Sequence, residues 1–129
     1  MTIKRIQLPG RPASKLYAPL VQYGDLLFVT GQVARDRDGQ IVGRGDFMKQ
    51  AYQVFANIAE VLAAGGATMA DLLKVTVFVT DARYRDEFRA VTDKYLGAHL
   101  PASTLVVVAA LADPAFLIEI EGIAAKPQS

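Results

Sequence analysis

The sequence has no cysteine, which excludes disulfides, thiolate-bound metals and thiol nucleophiles together. It has one histidine, His99, so neither a histidine pair nor a multi-histidine metal site can be assembled within the chain. Charge of one sign is also scarce. Fourteen basic side chains face thirteen acidic ones for a net charge of +1, whereas a nucleic-acid binder usually carries a marked basic excess to neutralise phosphates. The longest apolar run, Leu105 to Ala112, falls far short of the ~20 residues that span a bilayer. The stretch Met1–Pro12 lacks the apolar core of a signal peptide. A cytoplasmic protein without membrane or nucleic-acid partners is the expectation.

What is present is an ordinary globular chain. Its 129 residues, 52% hydrophobic and 21% charged, suffice for a single domain over residues 1–129 with one hydrophobic core. Leu26 to Thr30 reads as a buried strand, preceded by an extended stretch from Leu16 to Val21. The polar Arg35-Asp36-Arg37-Asp38-Gly39 ends in a hairpin signal, with Ile41-Val42 as a short returning strand. Asp46 is placed to cap a helix whose apolar stripe is Ala51, Phe55, Ile58 and Leu62, ended by Gly65-Gly66. Leu73 to Thr80 is rich in β-branched residues and reads as a strand. Asp81 is placed to cap a second helix with Tyr84, Phe88, Val91 and Tyr95 on one face and Gly97 at its end. Thr104 to Val108 and Leu117 to Ala124 complete the set as strands.

The order β-β-β-α-β-α-β-β makes an α/β (α+β) mixed sheet, with at least one right-handed parallel crossover and both helices on one sheet face. Val75, Val77 and the Leu105–Val108 run are expected to place apolar side chains on both faces. A sheet face left bare by the helices then calls for an oligomer.

Several segments carry a family resemblance. Leu27-Phe28-Val29-Thr30-Gly31-Gln32 resembles the strand ending in Ser/Thr-Gly-Gln of the Rid (YjgF) family. Gln50 to Asn57, followed by Leu62 and Gly65, is similar to its first helix. Lys74 to Asp81 is similar to its central strand, and Pro101-Ala102 with Ile118-Glu119-Ile120-Glu121-Gly122-Ile123-Ala124 to its last two strands. The likeness runs from about Leu16 to Ala125. It implies a chorismate-mutase-like fold, a homotrimer around a central barrel, and small-molecule clefts between subunits. Family members called RidA hydrolyse enamines and imines such as 2-aminoacrylate to a 2-keto acid and ammonia, without metal or organic cofactor.

In RidA an arginine directly after the Pro-Ala takes the substrate carboxylate with its planar fork. This chain has Ser103 there, which can donate a neutral hydrogen bond but cannot neutralise a carboxylate. The cleft tyrosine of RidA corresponds to Leu20, an asparagine of its second helix to Thr92, and its glutamate to Glu119. The resemblance therefore implies Glu119 as the catalytic group, with Ser103, Thr30, Gly31, Leu20 and Thr92 lining the ligand, and Tyr17 standing in for the tyrosine.

From the residues alone, Glu119 and Glu121 share one face of a strand and read as solvated. Ser103 at a strand opening reads as satisfying nearby backbone. Arg83, Arg85 and Arg89 read as a salt-bridged helix face, although one of them, or Lys15 or Arg11, could supply the missing cation. His99 reads as a loop residue, and Arg44-Gly45-Asp46 as part of a helix cap. No dinucleotide, phosphate-loop or metal-spacing motif is present.

The expected function is a Rid-type hydrolase of an enamine or imine other than 2-aminoacrylate. A non-catalytic metabolite-binding trimer is the alternative. The family's older labels, translation inhibitor and endoribonuclease, fit the near-neutral charge least well.

Overall fold

The computed structural model describes residues 1–127. Six strands form one sheet: β1 (Ile3–Ile6), β2 (Leu20–Tyr23), β3 (Leu26–Gln32), β4 (Leu72–Val79), β5 (Ala102–Val107) and β6 (Ile118–Ala125). Two helices, α1 (Phe47–Ala64) and α2 (Arg85–Leu96), interrupt them. The sheet order is β1-β2-β3-β6-β4-β5. Only β4 and β5 pair in parallel, with α2 in their crossover; the other pairings are antiparallel.

The expected element order holds, but two of its members differ. Ile41-Val42 is not a strand: Ile41 makes only an isolated bridge to Arg35. The turn itself is real, because Asp36 Oδ1 accepts from the Asp38 and Gln40 N–H groups and so satisfies the backbone without a ladder. The missing strand is β1, which pairs residue for residue with β2. Its sequence Ile-Lys-Arg-Ile has a single alternation, too short to announce a strand without its partner.

Both helices start as their sequence implies. Asp46 accepts from Lys49 N at 3.1 Å, and Asp81 accepts from Arg83 N at 2.9 Å, opening a 3₁₀ turn that leads into α2. The two apolar stripes meet in an aromatic seam. Phe55 stacks on Tyr95 with centroids 5.1 Å apart, and Phe47 on Tyr84 at 4.3 Å. Such pairs add modestly to their burial, about 0.5–1.5 kcal/mol each.

The helices cover one sheet face, burying Leu27, Val29, Val75, Val77, Val79, Ile118 and Ile120. Val75 and Val77 lie on this side, and Val106 of the Leu105–Val108 run lies on the other, so apolar side chains occupy both faces as expected; on the bare face Phe28 and Leu26 are each 41% exposed and Val106 is 37% exposed.

Two polar side chains lie inside this core, Gln50 and Asn57. Gln50 Nε2 donates to Gly43 O and Ala115 O, and its Oε1 accepts from Leu117 N. Asn57 Nδ2 donates to Val33 O and Arg35 O, while its Oδ1 accepts from Gln53 Nε2. These amides replace water for loop backbone that would otherwise be buried unpaired. Gln50→Leu keeps the volume but orphans three backbone groups. Urea unfolding should show a loss of about 2–5 kcal/mol; a loss below about 0.5 kcal/mol would contradict the clamp.

Candidate functional site

The expected site residues fall into three places in one protomer. The first is the end of β3. Between Val29 and Gln32 the β3–β6 register slips, so that Val29 faces Gly122 but Gln32 faces Ile120. The bulge holds Thr30 and Gly31 out of regular pairing. Thr30 is fixed there, its hydroxyl donating to Ala18 O and its N–H to Pro19 O. Gly31 turns its bare Cα toward the Glu119 side chain; a Cβ there would lie 3.1 Å from Glu119 Cδ and against its carboxylate.

Glu119 sits between Ile118 and Ile120, both fully buried under the helices, and so projects from the opposite face beside Phe78 of β4. It is half-buried. Burial, helped by the neighbouring Glu121 charge, pushes its carboxyl above the usual glutamate range. Glu121 is exposed and borders an open concavity with Lys74 and Thr76.

The second place is the outer edge of the sheet. Ser103 pairs in parallel with Val75 and therefore faces the helix side. It borders a cavity of about 230 Å³ walled by Phe55, Val75, Phe88, Leu96 and Leu100, with Thr92 beside them. Thr92 contributes little polarity, because its hydroxyl donates to Phe88 O at 3.0 Å. Of its apolar wall, the sequence marked Phe55 and Phe88 as helix stripes and Val75 as strand, and none of them as lining a site. Ser103 and Glu119 thus occupy opposite faces of one sheet.

The third place is the N-terminal segment. Tyr17 borders a cavity of about 150 Å³ with Gln7, Arg11, Ser14 and Gln32. Gln32 reaches it as well, a position that no sequence pattern marked. Leu20 needs correction: it has no exposed surface and packs on Gly65 and Leu27. An aliphatic side chain aligned with a cleft tyrosine has no polar tip to hold at the surface, so it sinks into the core.

The candidate cations are mostly engaged. Arg11 pairs with Glu60 at 2.8 Å and Arg83 with Asp81 at 2.7 Å. Side-chain and backbone hydrogen bonds from Arg83 hold the Asp81 carboxyl below the usual range. Arg85, Arg89 and Lys15 are exposed, as is His99. Asp46 N donates to Gly43 O, so the Arg44-Gly45-Asp46 stretch is the helix-entry turn. Among the described residues no cluster of three or more acidic or histidine side chains is placed to hold a metal, and no helix is long and apolar enough to cross a membrane.

The sequence profile of the family described as Endoribonuclease L-PSP matches residues 9–126. The chain belongs to that family. A RutC family protein of Pyrococcus horikoshii is 38% identical over 111 residues, covering 85% of this chain and 86% of the relative. A 2-iminobutanoate/2-iminopropanoate deaminase of Dermatophagoides farinae is 32% identical over 110 residues, covering 83% of each. A Rid-family protein of Yersinia pestis superposes with a TM-score of 0.89 at 30% identity, covering 96% of this chain and 99% of the other. The Rid resemblance and the fold read from the sequence both hold.

Two outcomes follow for this Rid-family chain. Gly31→Ala meets only the tip of a flexible glutamate. It should change urea stability by less than about 1 kcal/mol while displacing the carboxylate, so ligand-dependent activity should fall at least tenfold; unchanged activity would separate Glu119 from the site. The raised carboxyl of Glu119 means that the native state binds its proton more readily than the unfolded chain. Its contribution to stability is full below the unfolded value and lost as pH rises through the folded one. Glu119→Gln should therefore gain in urea midpoint over the wild type as pH rises above the ordinary glutamate value of about 4.3; parallel pH profiles would contradict it.

Proposed function

We propose that the chain is a cofactor-independent hydrolase that releases ammonia from a small enamine or imine other than 2-aminoacrylate, working as a homotrimer. The observation that carries this is the Glu119 carboxyl, set against the bare Cα of Gly31 and raised by burial. A carboxyl raised in this way holds its proton more readily than a solvated glutamate and is suited to taking and giving one during the reaction. It takes a proton from water as the oxygen adds to the C=N carbon. It passes that proton to the nitrogen to give a carbinolamine, then takes the carbinolamine hydroxyl proton and delivers it to the amine as the C–N bond breaks, leaving a carbonyl and ammonia. The deaminase named among the relatives supports the same chemistry.

Assembly supplies what one protomer lacks. The half-exposed Phe28, Leu26 and Val106 form a face that further copies would cover. A neighbouring copy would also bring the Ser103 cavity of one subunit toward the Glu119 of another, which the two sheet faces keep apart within a protomer. Thr30 and Gly31 shape the Glu119 side. Ser103 and Thr92 floor an apolar cavity that suits a branched or aromatic substituent, not a bare methylene.

The apolar walls around Ser103 also favour a second reading, a trimer that binds a small metabolite without turning it over. Endoribonuclease activity, the family's description, finds less support, since His99 stands alone on an exposed loop.

The test is ammonia release from imines generated in situ by an amino-acid oxidase from leucine, phenylalanine and alanine, alongside 2-aminoacrylate. Wild type should act on the larger apolar imines and only weakly on 2-aminoacrylate. Ser103→Arg should raise 2-aminoacrylate hydrolysis at least tenfold, because the guanidinium restores a carboxylate partner. No acceleration of any imine over buffer would overturn the hydrolase and leave the metabolite binder.

A further inference from the structure

We infer that Arg11 is the cation of a small-carboxylate site built by the N-terminal segment. Its side chain is only 20% exposed, and it makes one hydrogen bond, from Nη2 to Glu60 Oε2 at 2.8 Å. A guanidinium has five N–H donors in a fixed fork, and one so deeply set ordinarily spreads them over several acceptors. Here Nε is, among the described residues, the buried side-chain nitrogen or oxygen that has no hydrogen-bond partner. Arg37, itself largely exposed, also reaches the Glu60 carboxylate, at 3.4 Å, so that carboxylate is shared between two guanidiniums.

Beside Arg11 lies the cavity of about 150 Å³ that also meets Gln7, Ser14, Tyr17 and Gln32. That volume is roughly the share of five waters in the liquid, enough for a small organic acid. Leu8, Pro12 and Pro19 give it apolar walls, while the amide and phenol tips offer neutral hydrogen bonds. A single guanidinium, neutral donors and aliphatic walls suit a monoanionic carboxylate better than a phosphate, which needs more charge to leave water. Nε is enclosed and Nη2 is held by Glu60, so a carboxylate in the cavity would accept from Nη1.

The site abuts the Glu119 region. Gln32 directly follows Gly31, and the segment after Tyr17 is pinned to Thr30 through Ala18 and Pro19. That the bound acid is the carboxylate of the imine, or of its 2-keto acid product, rests on the proposed hydrolase. In that case Arg11 takes over, from a different element, the role the Pro-Ala arginine has in RidA. The carboxylate site itself stands on the protomer's geometry.

The test is a proton–nitrogen NMR titration of the whole protein with 2-oxobutanoate, with 2-butanone as the uncharged control. The Arg11 Nε–H and the resonances of Ser14, Tyr17 and Gln32 should shift with the acid and not with the ketone, and Arg11→Gln should weaken binding at least tenfold. Arg11→Lys, which keeps the charge but loses the fork, should fall between. If Arg11→Gln does not fold, the wild-type shift map and Gln32→Ala decide alone. Shifts gathered at Thr92 and Ser103, no shifts up to about 20 mM acid, or equal affinity in a folded Arg11→Gln would each overturn the site. Acid binding without imine turnover would sink the hydrolase and spare the site. Turnover with an unchanged KM in Arg11→Gln, and no acid shifts near residue 11, would do the reverse.

Discussion

The Gln50 amide, wholly enclosed on the first turn of α1, holds the chain before the helix at Gly43 and the chain entering β6 at Ala115 and Leu117. Two helical turns on, Asn57 holds the segment just after β3 at Val33 and Arg35. The ends of β3 and β6 that carry Gly31 and Glu119 are therefore both tied to one rigid helix. Loop backbone buried there has no water, and an amide offers donors and an acceptor at once. A hydrophobic side chain could fill the space but could not satisfy those groups. The position of the Glu119 carboxyl inherits its definition from these bonds, through the register slip that they bracket.

The sheet divides the remaining chemistry by face. On the helix side the core is filled and the cavity at Ser103 is a gap in that filling, so its walls are aromatic and aliphatic. On the other side the environment is mixed: Glu119, Glu121, Lys74 and Thr76 lie among Phe28 and Ile123, all half-buried or exposed. A carboxyl there is dry enough to shift its titration yet open enough to exchange protons. The N-terminal segment adds a third environment, a guanidinium pressed between Glu60 and a small polar cavity. No single protomer brings the three together.

Much of the fold was legible because local signals agreed with the tertiary outcome. The caps at Asp46 and Asp81, the stripe Ala51–Phe55–Ile58–Leu62 and the β-branched run of β4 each have a short-range cause. Strand β1 was not legible, since a four-residue edge strand draws its stability from β2 and not from its own pattern. Ile41-Val42 misled for the converse reason: its turn chemistry is right, but no neighbouring strand is there to pair with it.

The site was legible in part. The Rid resemblance, and not residue type or spacing, marked Thr30, Gly31 and Glu119, and the structure sets Gly31 against the Glu119 side chain. Leu20 failed because alignment fixes a backbone position, whereas burial depends on the side chain placed there. The sequence by itself determined the secondary structure of the helices and central strands, the family, and the absence of thiol chemistry, all of which follow from local pattern and composition. Tertiary structure alone decided that Ser103 and Glu119 lie on opposite faces, that Gln50 and Asn57 are clamps, and that Arg11 meets Glu60 forty-nine residues away. Those facts depend on which distant segments pack together, and packing is set by the whole core at once.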